Sequence, residues 1–448
     1  MFDFESYKRH YKVLITLGIP IVIGQIGFIA LGFADTFMVG HHSTEELAAS
    51  SFVTTIINLA ILISIGFSYG LIPLVGSLYG QKKYEQIGQV IRYGFYANLL
   101  VTLLLLLALG VVYLFVDRMG QPEELLPLIR TFFLYQAASL FFVGLFNVFR
   151  QFADGITNTK ISMWILLSAN AINILLNYIF IFGHWGAPEM GLEGAGLGTL
   201  IARMLMVVTA FILFFGSKTF AVYRKGLKIP TSDLSLFRKI NKLGWPIGAQ
   251  MGMEMASFTF VGIMVGWLGT IEMAAHQVMI TVSTICFMAY YGLGSAVAVR
   301  VSNFEGQGDY QQVRRVSYAG FHLMMLLALV SSSIVYFFQN ELGGLFTDSQ
   351  EVILMFSTLI TPMLLYQFGD GLQVCYANAL RGRGDVNIMM GIAFIAYFIV
   401  SLPASYFFGF VLEWGVRGVW MGFPFGLTTA GILYFWRFYS ATNKMIKK

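Results

Sequence analysis

The sequence predicts an all-α polytopic membrane protein: twelve transmembrane helices in two six-helix lobes related by an internal pseudo-two-fold repeat. Three observations predict it. Hydrophobic residues fill 57% of the 448 positions and charged residues only 11%. The apolar residues recur in blocks of roughly 20 or more, enough for a helix to cross a bilayer. The second half of the chain repeats the first.

In chain order, the first half gives apolar spans at about 14–38, 51–79, 93–116, 128–149, 161–183 and 193–216. The charged start, MFDFESYKRHYK, has no small-residue cleavage site after a short apolar core, so the first span reads as a retained helix rather than a signal peptide. The second half gives spans at about 241–268, 277–301, 317–338, 352–379, 387–411 and 416–440. Between the halves, SKTFAVYRKGLKIPTSDLSLFRKINK is the longest polar connection and reads as a soluble linker. The domain reading is therefore an N-terminal lobe over 1–216, a cytoplasmic linker over 217–240 and a C-terminal lobe over 241–448.

Most of the 28 Lys and Arg fall before span 1, in the even-to-odd connections and in the terminal NKMIKK; Arg118, Arg130 and Arg417 lie opposite and Arg203 lies within span 6. The positive-inside rule then puts both termini in the cytoplasm of a cell, or inner, membrane. That topology accounts for the net charge of +5 without a nucleic-acid partner. Cys286 and Cys375 both sit in apolar blocks and offer no disulfide framework or metal-ligand spacing. No GxxxxGK[ST] nucleotide loop is present; GSLYGQKK lacks its spacing. GLEGAGLG (191–198) has no preceding βαβ unit, and its copy WGVRGVWMG (414–422) marks it as a repeated close-packing segment.

The repeat holds one register from LGIP (17–20) on LGWP (243–246), through MVG (38–40) on MVG (264–266) and Gly66 on Gly292, to Gly94–Phe95 on Gly320–Phe321. Further on, Tyr135, Gln136, Asn147, Arg150 and Asp154 pair with Tyr366, Gln367, Asn378, Arg381 and Asp385. Each copy has an even number of spans, so the copies are related by an axis along the membrane normal, an arrangement found in transporters that work by alternating access. One cleft then needs one chain, and a functional monomer is expected.

Against that symmetry the acids stand out. Glu254 aligns with Phe28, Asp370 with Ser139, and Asp35 with Val261, so none belongs to the shared scaffold. An acid deep in a bilayer costs about 2.5–3.5 kcal/mol on insertion scales and commonly marks an ion or substrate route. A structural hydrogen bond is the alternative for Glu254 and Asp370, and a solvated interfacial position for Asp35. Arg203 is read equally as a partner for a carboxylate of its own lobe or as a structural or snorkelling arginine. Pro20 and Pro246 occupy equivalent places in spans 1 and 7, each either a mobile hinge or a fixed kink.

DTFMVG, LGIP with LGWP, NILLNYIFIFGHWGAPEMGLEGAG and YQFGDGLQVCYANALRGRGD together resemble the multidrug and toxic compound extrusion (MATE) family across essentially the whole chain. Glu254 with Asp370 is similar to its NorM branch rather than the DinF branch. The resemblance implies export of organic cations, drugs among them, in exchange for Na⁺ or H⁺, with no other cofactor. It implies a cation or proton site at Glu254, Asp370 and Tyr366, the last offering its ring face, and a first-lobe polar cluster of Asp35, Asn173, Asn177 and Thr199. Asn177 stands where some relatives carry aspartate, which weakens a first-lobe Na⁺ site and leaves a protonatable Asp35. Two carboxylates supply charge and oxygens for Na⁺, and a proton competes for the same oxygens. A flippase for lipid-linked oligosaccharides shares the twin-bundle plan, but its pyrophosphate cargo calls for Arg and Lys where this chain has acids. An integral-membrane enzyme would show clustered His, Asp or Ser, which the sequence lacks.

Overall fold

The computed structural model describes residues 4–229 and 234–447, and among them every regular element is helical. In the first half these are α1 (Phe4–His42), α2 (Thr44–Ser68), α3 (Leu71–Gly80), α4 (Tyr84–Phe115), α5 (Leu126–Gly155), α6 (Thr159–Phe182), α7 (Leu192–Gly216) and the short α8 (Ala221–Leu227). In the second half they are α9 (Ser235–Gly266), α10 (Thr270–Gln307), α11 (Tyr310–Phe337), the short α12 (Gln339–Phe346), α13 (Gln350–Arg383), α14 (Asn387–Phe394), α15 (Leu402–Tyr406) and α16 (Gly415–Ile446). Among the described residues, 11 segments are long and apolar enough to span a membrane. Helix α9 is the twelfth; Gln250 and Glu254 in mid-span lower its hydropathy.

Two spans are composite. Helices α2 and α3 form one crossing, Thr44–Gly80, interrupted at Tyr69–Gly70. The crossing Asn387–Val411 joins α14 and α15 through π-helical turns at Ile395–Ser401 and Phe407–Val411. Pro403 lies between the two wide turns; its ring has no N–H to give and crowds the carbonyl four residues back, so the ladder shifts register around it.

The chain forms two compact units, one made of the residues up to Val22 with those from Ala249 onward, the other of Ile23–Gly248. The grouping differs from lobes cut at 216 and 241, because the chain changes unit inside α1 and α9, just beyond Pro20 and Pro246. The repeated LGxP motif gives the reason. In the first unit, a Cβ on Gly292 of α10 would lie 2.9 Å from Val22 N and 3.1 Å from Gly18 O. In the second unit, a Cβ on Gly70 would lie 2.7 Å from Gly244 N, and the Trp245 ring meets Phe67 edge-on at 5.4 Å. Each motif glycine therefore packs backbone to backbone on the second span of the other repeat, which only a residue without a side chain allows.

The segment read as a soluble linker is largely docked. Phe220 and Tyr223 are buried against Phe152, with ring centroids at 5.6 and 5.2 Å. Arg92 of α4 donates from Nη1 to Leu227 O and Ile229 O, both at 3.0 Å, covering carbonyls at the end of α8. Residues 230–233 of that segment lie outside the described residues, and from Ser235 the chain is already α9.

Candidate functional site

In the unit that contains α9 and α13, Glu254 accepts a hydrogen bond from Gln250 Nε2, one turn earlier, at 2.9 Å. The side chains of Gln373 and Tyr397 also adjoin its carboxyl group, and Gln373 Nε2 donates to Tyr397 Oη at 3.0 Å. Tyr397 lies in the first π turn, whose wider winding sets its orientation. Asp370 of α13 is buried, and the charge of Glu254 acts on it. The structure thus brings the two predicted acids together in one unit.

A counter-charge lies nearby. Arg381 donates from Nη1 to Asn378 Oδ1 at 3.1 Å and from Nη2 to Gln250 Oε1 at 3.4 Å. The Gln250 amide therefore accepts from the guanidinium and donates to Glu254. The repeat partner of Arg381 behaves differently, for Arg150 Nε lies 3.9 Å from Asp154. In the second copy the matching acid, Asp385, pairs instead with Arg437 at 2.7 Å, and Arg381 turns toward the Glu254 network.

Tyr366 lies one turn before Asp370, buried against Trp420 and Phe423 at centroid distances of 6.3 and 6.2 Å. Phe423 stacks on Phe258 of α9 at 4.5 Å, and Trp420 Nε1 donates to His276 Nδ1 at 3.0 Å. The acids are thus walled on one side by an aromatic cluster. The sequence reading missed Gln250, Gln373, Tyr397 and Arg381. Gln250 was findable, because a residue four before Glu254 shares its helix face; Tyr397 was not, because its placement depends on the π turn.

The other unit holds the second predicted cluster. Asn177 Nδ2 donates to Asp35 Oδ1 at 2.6 Å and to Asn173 Oδ1 at 3.1 Å. Asn173 Nδ2 donates to Thr199 Oγ1 at 3.1 Å. Thr199 Oγ1 in turn donates to Ala195 O at 2.9 Å. Close packing of α6 on α7 builds this cluster: a Cβ on Gly194 would lie 2.6 Å from the Phe180 carbonyl carbon, and one on Gly198 would strike Asn177 Oδ1. The glycines of GLEGAGLG are thus packing residues, as the repeat implied.

Arg203, one turn beyond Thr199, donates to Ser139 Oγ and acts electrostatically on Asp35, which favours the carboxylate-partner reading. Ser139 is the repeat position of Asp370. One copy therefore carries an acid where the other carries a serine that receives an arginine, and the two units differ in local charge. Pro20 and Pro246 lie next to the unit boundaries, and Pro246 stands one turn before Gln250 in α9. Among the described residues, no group of three or more His, Cys, Asp or Glu is arranged to hold a metal ion.

Comparison with known proteins agrees with this architecture. The family model described as MatE matches residues 20–179 and 246–407, one match in each repeat, starting at the two prolines. The probable multidrug resistance protein NorM of Xylella fastidiosa (strain 9a5c) is 30% identical over 99% of this chain and 95% of its own length. Multidrug resistance protein MdtK of Yersinia pseudotuberculosis serotype O:1b (strain IP 31758) is 32% identical over 96% and 95%. Among solved structures, an outward-facing multidrug resistance MATE transporter superposes with a TM-score of 0.90 at 16% identity, covering 98% of this chain and 97% of the other. A eukaryotic MATE transporter gives 0.86 at 20% identity, covering 98% and 99%. With its two membrane-embedded lobes and both matches in place, the chain belongs to the MatE family of multidrug efflux transporters, which move their cargo and are not enzymes.

Proposed function

We propose that this protein is a secondary active antiporter that exports organic, mainly cationic, compounds in exchange for Na⁺ or H⁺ by alternating access. The observation that carries the proposal is the pairing of Glu254 and Asp370 in one unit, with Gln250 contacting both Glu254 and Arg381. Two ionised acids with one arginine near Glu254 carry a net negative charge, which attracts a monovalent cation or a proton. Tyr366 and its aromatic neighbours supply ring faces for a lipophilic cation. Occupancy of the acids biases α9 and α10 toward release of drug to the outside, and Asp35 with Asn173, Asn177 and Thr199 forms a second protonatable cluster. The Lys and Arg distribution supports an inner-membrane location with both termini cytoplasmic, and the repeat within one chain supports a functional monomer.

The test is efflux of a fluorescent lipophilic cation from proteoliposomes under separately imposed Na⁺ and H⁺ gradients, comparing wild type with Glu254→Gln. Gradient-driven efflux lost in the variant places Glu254 in the coupling site, and the effective gradient names the ion. Wild-type vesicles that move the dye without responding to either gradient would overturn the antiporter reading.

A further inference from the structure

We propose that a polar pocket at the start of α1 binds the phosphate of an anionic lipid headgroup. The pocket has a volume of about 370 Å³ and is lined by Glu5, Arg9 and His10 of α1, Arg300 of α10, and Gln312 and Arg315 of α11. All of these belong to one compact unit. Among the described lining residues, three guanidinium groups stand with one carboxylate, and phosphate is the anion that guanidinium groups bind with paired, directional hydrogen bonds.

The walls are fixed from within. His10 Nε2 and Gln312 Oε1 are 2.8 Å apart, joining α1 to α11. The Arg300 guanidinium lies over the Phe304 ring at 4.6 Å, which holds the head of the side chain in place. The His10 ring also meets Phe304 edge-on at 6.0 Å. An arginine held on a ring and a histidine held by an amide make a preformed recess rather than a loose surface patch.

The internal repeat supplies an independent argument. In the register that pairs Gly306 with Gly80 and Tyr310 with Tyr84, Gln312 falls on Gln86, so that part of the wall is scaffold. Arg300 falls on Leu74 and Arg315 on Gln89. The two cations are additions of the second copy, in the same way that Glu254 replaces Phe28. Folding of the six-helix unit does not require them, since the sister copy is built without them.

Position selects the lipid as the source of the phosphate. The pocket lies where α1 begins, α10 ends and α11 begins, and all three are membrane-spanning segments. The ends of spans lie at the level of the lipid headgroups, and basic pockets between helices at that level hold anionic lipids.

The experiment uses the full-length protein in detergent, with retention of added phosphatidylglycerol or phosphatidylcholine followed by native mass spectrometry and by thermal unfolding. Wild type is expected to retain phosphatidylglycerol well above phosphatidylcholine and to unfold at higher temperature in its presence. Arg300→Leu with Arg315→Gln, which restores the residues of the sister copy, should lose roughly 30-fold in phosphatidylglycerol affinity, taking about 1 kcal/mol for each cation. Arg9→Gln, at an exposed position, should lose roughly 5-fold with unfolding in phosphatidylcholine unchanged. Inorganic phosphate alone should neither raise the unfolding temperature nor displace the lipid. Equal retention of the two lipids by wild type, or full retention of phosphatidylglycerol in both variants, would overturn the site. Displacement by inorganic phosphate would keep the anion pocket but overturn the lipid as its occupant.

Discussion

The docking of the connection between the lobes includes one close backbone contact. A Cβ on Gly226 of α8 would collide with the Glu85 carbonyl oxygen and lie 2.9 Å from its carbon and 3.0 Å from Gly88 Cα. Reciprocally, a Cβ on Gly88 of α4 would strike Tyr223 O and lie 2.9 Å from Gly226 Cα. The obstacles are main-chain atoms of a long helix, so Gly226→Ala must push α8 away rather than move a side chain. Overpacking costs about 1–3 kcal/mol, and an obstacle that cannot rotate aside belongs in the upper half of that range. Lifting α8 also stretches the two bonds from Arg92 to Leu227 O and Ile229 O. We expect about 2–3 kcal/mol, or roughly a 30- to 150-fold increase in the open population of the segment. Hydrogen exchange over 218–229 reads this directly, and tryptic cleavage at Arg224, Lys225 and Lys228 reads it independently. Gly110→Ala, also in α4 but with nothing within 4 Å of the added carbon, is the matched control and should change neither. Exchange in Gly226→Ala as slow as in the Gly110→Ala control would refute the idea that glycine contact holds the segment down.

In the first-lobe cluster, Asn177→Leu removes the donors to Asp35 and Asn173. Leaving a partly buried carboxyl short of a partner should lower stability by about 1–3 kcal/mol; combined with Asp35→Leu the losses should fall well short of additive, and strict additivity in thermal unfolding would count against the contact. Pro20→Ala should slow transport with little change in ion affinity if the change of unit just beyond the proline works as a hinge; unchanged turnover in proteoliposomes identifies a fixed kink. Gln250→Leu should break the relay between Arg381 and Glu254 and alter the cation dependence of efflux; a wild-type dose response would show that the amide is passive.

Much of this protein was legible in the sequence because bilayer physics writes itself into composition. A helix that crosses lipid must satisfy its own backbone, so each span appears as an apolar block of fixed minimum length. The internal repeat separates scaffold from specialisation, and Glu254, Asp370 and Asp35 stand out against it in the sequence alone. Span 7 shows the limit of hydropathy, since the residues that make α9 interesting also make it less apolar than the other spans.

What the tertiary structure decided depends on contacts between residues far apart in the chain. The first halves of α1 and α9 join the unit of the opposite repeat because Gly18 and Gly244 find flat glycine surfaces there, and no local pattern says which surface a glycine meets. The polar linker docks through Gly226 on Gly88, the buried Phe220 and Tyr223, and Arg92 on its carbonyls. Arg381 leaves Asp385 to Arg437 and reaches Glu254 through Gln250, and Tyr397 reaches the same acid only because the helix around Pro403 widens into π turns. Sequence by itself determined the number of spans, the repeat and the identity of the acids, because those follow from local composition and register. Which groups surround each acid was left to packing, because charge pairing and hydrogen bonding are settled by distance in space and not along the chain.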